Sequence, residues 1–163
     1  MAGGSRVLAA VRSPENAAFV EELGGEAIPD DGFADAVAEK TGGRGVDVIL
    51  ELVGAPHFPG NLDALALKGR IAIVGVGAGQ NVDMPLMRLM QRRASIRGTV
   101  LRSRSLEDKG QAIRAFEREV VPNLVSGRLR PLIDSTFPVD QTVDAYARLE
   151  GKGKRGKVLL EFG

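Results

Sequence analysis

The stretch Arg70–Pro85, RIAIVGVGAGQNVDMP, runs from a β-rich apolar segment straight into Gly75, Gly77 and Gly79. A loop that cradles a pyrophosphate needs three parts in order: a strand, a G-x-G-x-x-G turn, and a helix whose free N–H groups point at the phosphate. The strand is present, but the spacing is G-x-G-x-G, and QNVDMP follows with an acid and a proline in place of a helix start. This supports a glycine-rich exit from a strand whose carboxyl end approaches something closely. No phosphate-binding fingerprint is expected elsewhere in the chain.

The flanking segments explain what kind of sheet this strand belongs to. Upstream, Val46–Val53 (VDVILELV) is an almost continuous β-branched run, which predicts a parallel strand covered on both faces. Between the two lies a helix carrying Leu62 and Leu65 and ending near Gly69; Ala94–Leu101 (ASIRGTVL) is a further strand. Towards the amino end, Arg6–Val11 (RVLAAV) reads as a buried strand. A helix follows it, with Ser13 as N-cap, Pro14 at the first helical position, and Gly24 or Gly25 as the left-handed stop. A short strand EAIP and a helix through FADAVAEK come next, with Phe33 and Val37 facing inward.

Towards the carboxyl end, Ile113, Phe116, Val120 and Leu124 mark a long helix from about Leu106 to Val125, which Pro122 kinks or shortens. A strand near LRPLIDSTF, a helix VDQTVDAYARLEG with Tyr146 in its core, and a last strand KVLLEF complete the pattern. Alternating strands and helices of this kind predict an α/β fold: a doubly wound parallel sheet, with ligands beyond the carboxyl ends of its strands.

Composition narrows the function. The 163 residues are 44% hydrophobic and carry a net charge of +1, with no cysteine and one histidine, His57. Absence of cysteine rules out disulfides and thiolate metal sites, and a lone histidine gives a catalytic zinc little to bind. A near-neutral chain argues against a nucleic-acid surface, and the basic run Gly151–Lys157 (GKGKRGK) reads as a solvated turn. No apolar run reaches the roughly 18 residues of a membrane span, and the start lacks the pattern of a secretory signal. A cytoplasmic protein is expected.

In this order, the segments at 42–54 (GGRGVDVILELVG), 61–79 (NLDALALKGRIAIVGVGAG), 96–146 (IRGTVLRSRSLEDKGQAIRAF through STFPVDQTVDAY) and 156–162 (GKVLLEF) resemble a known family. That family is the zinc-independent quinone oxidoreductases of the medium-chain dehydrogenase/reductase superfamily. The resemblance covers the C-terminal, nucleotide-binding half only. It implies a Rossmann-like domain over residues 1–128 and a tail over 129–163 that in the family returns to the catalytic domain. It further implies that the chain starts at the second strand of the order 3-2-1-4-5-6, lacking the first strand and its glycine-rich loop. Arg6–Val11 is then expected to close directly on Val46–Val53, unless another chain fills the gap.

The resemblance also implies roles for residues at strand ends. Arg12 and Ser13 would meet the adenosine ribose and its 2′-phosphate, so NADPH is the expected cofactor; an acid at that place would instead grip a free 2′-hydroxyl. Asn16 stands where members often have Lys, and Asp30 where many have a stacking Tyr; a carboxylate there repels a phosphate. Val53 and Gly54 would contact the ribose. Gly75, Val76 and Gly77 would approach the nicotinamide, and Leu101 and Arg102 would lie near nicotinamide or substrate. Glu51 needs a buried partner that the sequence does not identify, and His57 reads as a loop residue.

No catalytic residue is named, since hydride transfer leaves the chemistry to the cofactor. The expected function is an NADPH-dependent reductase of quinones or other conjugated carbonyls (enones), truncated or completed by a partner chain supplying the N-terminal domain. A homodimer through Ala94–Leu101 is expected, because an exposed β-branched edge is a template for pairing. The alternatives are a non-catalytic dimerising or binding remnant, and an enoyl-thioester reductase.

Overall fold

The computed structural model describes residues 4–163 and divides them into two compact units, residues 4–109 and 110–163. In the first unit the elements run β1 (Leu8–Val11), α1 (Pro14–Glu22), β2 (Glu26–Pro29), α2 (Phe33–Thr41), β3 (Val46–Glu51), α3 (Phe58–Ala64), β4 (Leu65–Ile73), α4 (Leu86–Arg92) and β5 (Ser95–Gly98). Next comes α5 (Leu106–Glu119), in which the division falls; α6 (Val121–Val125), β6 (Ile133–Pro138), α7 (Thr142–Glu150) and β7 (Lys157–Glu161) follow. No helix among the described residues is long and apolar enough to cross a membrane.

Local chemistry sets most boundaries. The Ser13 hydroxyl accepts the Asn16 N–H at 3.3 Å and Pro14 opens α1, while Gly24 at φ 79° follows its end. Gly42, left-handed at φ 60°, closes α2. Pro122 sits in the first turn of α6, so the expected long helix is two helices joined at Val120. The short helix α4 was not expected from the sequence. The turn Ala55–His57 is 3-10.

All pairings are parallel, as expected of a doubly wound sheet. Strand β1 pairs with β2, with Val11 opposite Pro29; β4 pairs with β3 on one side and β5 on the other. Against the order 3-2-1-4-5-6, these sheets supply 3-2 and 4-5-6. Strand β5 lies at an edge, as expected.

The expected closure of Arg6–Val11 on Val46–Val53 does not occur: β1 bonds to β2 and β3 to β4, and not to each other. Both sheets are held by their faces instead. Ile28, Val37 and Ala64 form a core cluster that takes Leu8 from β1 and Val46 and Ile49 from β3. Closure was expected because buried unpaired backbone groups are destabilising, but the residues of β1 and most of β3 are half-buried or exposed. Water can satisfy such groups.

Three further expectations need correction. Val48 and Leu50 of β3 are 47% and 63% exposed, so that strand is covered on one face only. The helix carrying Leu62 ends at Ala64, and Leu65 already belongs to β4, fully buried opposite Val46. The ladder shifts between Val46 and Val48, and Lys68 adopts φ 63° in the resulting bulge. Tyr146 is 60% exposed; the buried residue of α7 is Ala145.

The second core cluster of this unit joins Phe58, Leu62, Leu65 and Ile71, with Leu89 and Ile96 packed against it. Unit 2 carries the parallel pair β6–β7 with α7 packed on it. Its anchor is Asp134 of β6, which accepts from Arg148 Nη2 and Nε at 2.6 and 2.7 Å and from the Arg155 backbone N–H at 2.8 Å. The Arg148 guanidinium holds the Asp134 carboxyl well below the usual carboxylate range.

Candidate functional site

The carboxyl ends of the strands in the first unit gather nearly all the candidate residues. Arg12 and Ser13 follow β1, Asp30 follows β2, Val53 and Gly54 follow β3, and Gly75, Val76 and Gly77 follow β4. Leu101 and Arg102 lie in the exposed turn beyond β5.

Contacts tie these ends together. Asp30 donates its N–H to the Val11 carbonyl at 3.1 Å, and its carboxylate accepts from Arg12 Nε at 2.8 Å. The other carboxylate oxygen lies 3.4 Å from His57 Nε2, in the turn after β3. The His57 ring rests tilted on Phe33 with centroids 5.3 Å apart. His57 is therefore more than a loop residue: it links the end of β3 to that of β2. Sequence spacing carried no signal for this triplet, since the three lie on different elements.

The glycine-rich exit has a clear cause. A Cβ on Gly75 would stand 2.7 Å from the Leu52 carbonyl oxygen, and one on Gly54, at φ 108°, would stand 2.4 Å from that of Gly79. Both glycines allow the exits of β3 and β4 to pack backbone to backbone, with Ala78 N–H on the Val53 carbonyl at 2.9 Å and Ala55 N–H on that of Gly79 at 3.0 Å. What the β4 exit approaches closely is the β3 exit. Gly77 differs, because nothing lies within 4 Å of a Cβ placed there.

Glu51 is the buried acid of this junction, 3% exposed, and its partners are now visible. Asn61 of α3 donates its side-chain amide to one carboxylate oxygen; the other accepts the Gly54 N–H at 2.8 Å and the Val53 N–H at 2.5 Å. Its own carbonyl accepts from Val74 and Gly75. One residue thus orders both strand exits, the β3 exit through its carboxylate and the β4 exit through its backbone carbonyl. Alternating β patterns reveal such a residue as buried and polar, but not its partner ten positions away.

One G-x-G-x-x-G spacing does occur in the chain, contrary to expectation: Gly151, Gly153 and Gly156. It follows the carboxyl end of α7 and precedes β7, the reverse of strand–loop–helix. The helix end facing it carries negative partial charge, and its Arg155 N–H is taken by Asp134. It lacks the setting that binds a phosphate.

Comparison with known proteins places this geometry in a family. Residues 1–118 match the model described as zinc-binding dehydrogenase. A quinone oxidoreductase-like protein 2 homolog of Nematostella vectensis is 29% identical over 161 residues, 96% of this chain and 44% of its own length. Among solved structures, a quinone oxidoreductase of Pseudomonas syringae pv. Tomato DC3000 superposes with a TM-score of 0.78 at 25% identity, over 96% of this chain and 49% of that one. An NAD-dependent alcohol dehydrogenase superposes with a TM-score of 0.77 at 27% identity, over 98% and 45%. The chain thus spans less than half the length of these relatives. The residues present do not fit a zinc ion: there is no cysteine, one histidine, and no group of three or more candidate ligands among the described residues.

Proposed function

The chain belongs to the zinc-binding dehydrogenase family, resembling the C-terminal half of its zinc-independent quinone oxidoreductase branch, and from that premise we propose that it forms the nucleotide-binding part of an oxidoreductase. The observation that carries the proposal is the gathering of Arg12, Ser13, Val53, Gly54 and Gly75–Gly77 at the carboxyl ends of parallel strands, where open α/β sheets take their ligands.

In this reading a nicotinamide dinucleotide lies across that edge and, when bound, supplies the hydride. The Arg12 guanidinium and the Ser13 hydroxyl receive the adenosine ribose, with NADPH as the phosphorylated form they suit; Ser13 accepts the Asn16 N–H and keeps its own proton to donate. Val53 and Gly54 border the ribose on the nicotinamide side. Gly77, with open space beside it, lets the nicotinamide approach the backbone, held in place by the junction that Glu51 orders. Leu101 and Arg102 border the acceptor, a quinone or other conjugated carbonyl. Residues 1–128 act as the partial nucleotide domain, and residues 129–163 return to a substrate domain. A preceding segment or partner chain provides that domain, the pyrophosphate loop, and the strand between β1 and β3.

Calorimetric titration of the purified chain with NADPH and NADH tests this. The loop that normally donates to the pyrophosphate contributes two or three charge-assisted hydrogen bonds of about 1.5–3 kcal/mol each, so binding near or above millimolar is expected for this chain by itself. A stable dimer that binds neither nucleotide at any attainable concentration would favour the non-catalytic remnant. Micromolar binding with quinone-dependent NADPH oxidation would show that the loop is dispensable.

A further inference from the structure

The triplet at the ends of β1, β2 and β3 carries an inference that rests on the adenosine-site reading just given. We propose that Asp30 is a specificity-determining residue, which holds Arg12 in an ion pair and so suppresses the preference of this site for a 2′-phosphorylated adenosine.

The argument starts from charge. Arg12 is the cation at the tip of β1, with a side chain 73% exposed, and Asp30 binds its Nε at 2.8 Å. A 2′-phosphate arriving there meets a pair of zero net charge, not a free guanidinium. It also meets the carboxylate itself, which repels it. Residue 16 adds no compensating cation, since it is Asn.

Position makes the pairing a built feature and not a passing surface contact. Parallel register sets Val11 opposite Pro29, so the residues that follow, Arg12 and Asp30, leave neighbouring strands side by side. The Asp30 N–H is bound to the Val11 carbonyl at 3.1 Å, which anchors its backbone. Its carboxylate is only 22% exposed and is flanked on its far side by His57 Nε2 at 3.4 Å, with the imidazole steadied on Phe33. Asp30 is thus oriented from two sides, whereas Arg12 is held by its Nε at the edge of solvent. An incoming phosphate can displace Arg12 from the pair but cannot move Asp30 away.

A nuclear magnetic resonance titration of the whole chain tests this with two probes that differ only in the 2′-phosphate: adenosine 2′,5′-bisphosphate and adenosine 5′-monophosphate. The wild-type chain is expected to bind both within roughly threefold of each other, with shifts at residues 12 and 13. In Asp30→Asn the bisphosphate is expected to gain roughly tenfold over the monophosphate, the scale of one unit of net charge beside an exposed phosphate. Asp30→Ser repeats the test with a smaller side chain, and Asp30→Asn combined with Arg12→Gln is expected to return the ratio to the wild-type value. If both probes shift residues 12 and 13 but Asp30→Asn leaves the ratio unchanged, or if the wild-type chain already favours the bisphosphate more than thirtyfold, the role of Asp30 is overturned while the adenosine site stands. If neither probe shifts those residues in any variant, the adenosine site and the inference fall together.

Discussion

Glu51 and Asn61 meet as carboxylate and amide donor, both residues 3% exposed, where β3 and β4 leave the sheet. The same carboxylate accepts two backbone N–H groups from the β3 exit. Glu51→Leu would strand two buried donors, Gly54 N–H and the Asn61 amide, and the half-buried Val53 N–H, and a loss of about 2–4 kcal/mol of unfolding free energy is expected. Glu51→Gln keeps an acceptor for the backbone groups and should lose about 1 kcal/mol. Urea unfolding followed by circular dichroism checks both; equal losses would show that packing, not hydrogen bonding, is what Glu51 contributes.

The two glycines of the β4 exit should respond in opposite ways. Gly75→Ala forces a Cβ to within 2.7 Å of the Leu52 carbonyl oxygen and should destabilise the chain by about 1–3 kcal/mol. Gly77→Ala meets nothing and should change stability by no more than about 0.5 kcal/mol. If the nicotinamide approaches the backbone at Gly77, this second variant weakens nucleotide binding while its thermal midpoint stays put. Parallel melting curves and titrations separate the two effects.

Acid should loosen the second unit through Asp134. Arg148 and the Arg155 N–H hold its carboxyl below its ordinary value, so its stabilisation is fully present above the unfolded pKa of about 3.9 and is lost as pH falls through the lower folded value. Glu26, held at about 2 by Arg6 and Lys40, adds a loss of the same sign in the first unit. Unfolding midpoints measured from pH 6 to pH 2 should fall at the acid end. Asp134→Asn should be less stable at pH 6 and show a shallower fall; an unchanged slope would remove Asp134 as a source.

The free edge of β5 bears on the homodimer expected through Ala94–Leu101, of which Ser95–Gly98 forms the strand. Ile96 packs against the core cluster of Phe58 and Leu62, so a lysine there would disturb folding as well as association. Val100, two residues beyond the end of β5, is 58% exposed and makes the cleaner probe of the expected Ala94–Leu101 contact. Val100→Lys should yield monomers by light scattering with an unchanged circular dichroism spectrum. A monomeric wild-type chain at high concentration would rule out pairing through Ala94–Leu101.

Much of the fold was legible in the sequence because its cues are local. Ser13 and Pro14 start a helix whatever surrounds them, Gly42 stops one, and the β-branched run from Val46 makes a strand by side-chain shape. The order of segments was enough to place the family, and the G-x-G-x-G spacing was enough to reject a phosphate loop at Gly75. Relations between distant residues lay beyond it. Whether β1 would close on β3 depended on both sheets being held by the cluster around Ala64. Coverage of β3 on one face only depended on what packs there, which periodicity does not report. The partner of Glu51 and the pairing of Arg12 with Asp30 and His57 arise where separate strand ends converge. Propensity acts over a few residues, while hydrogen bonds and ion pairs between elements exist only once the chain has brought those elements within about 3 Å.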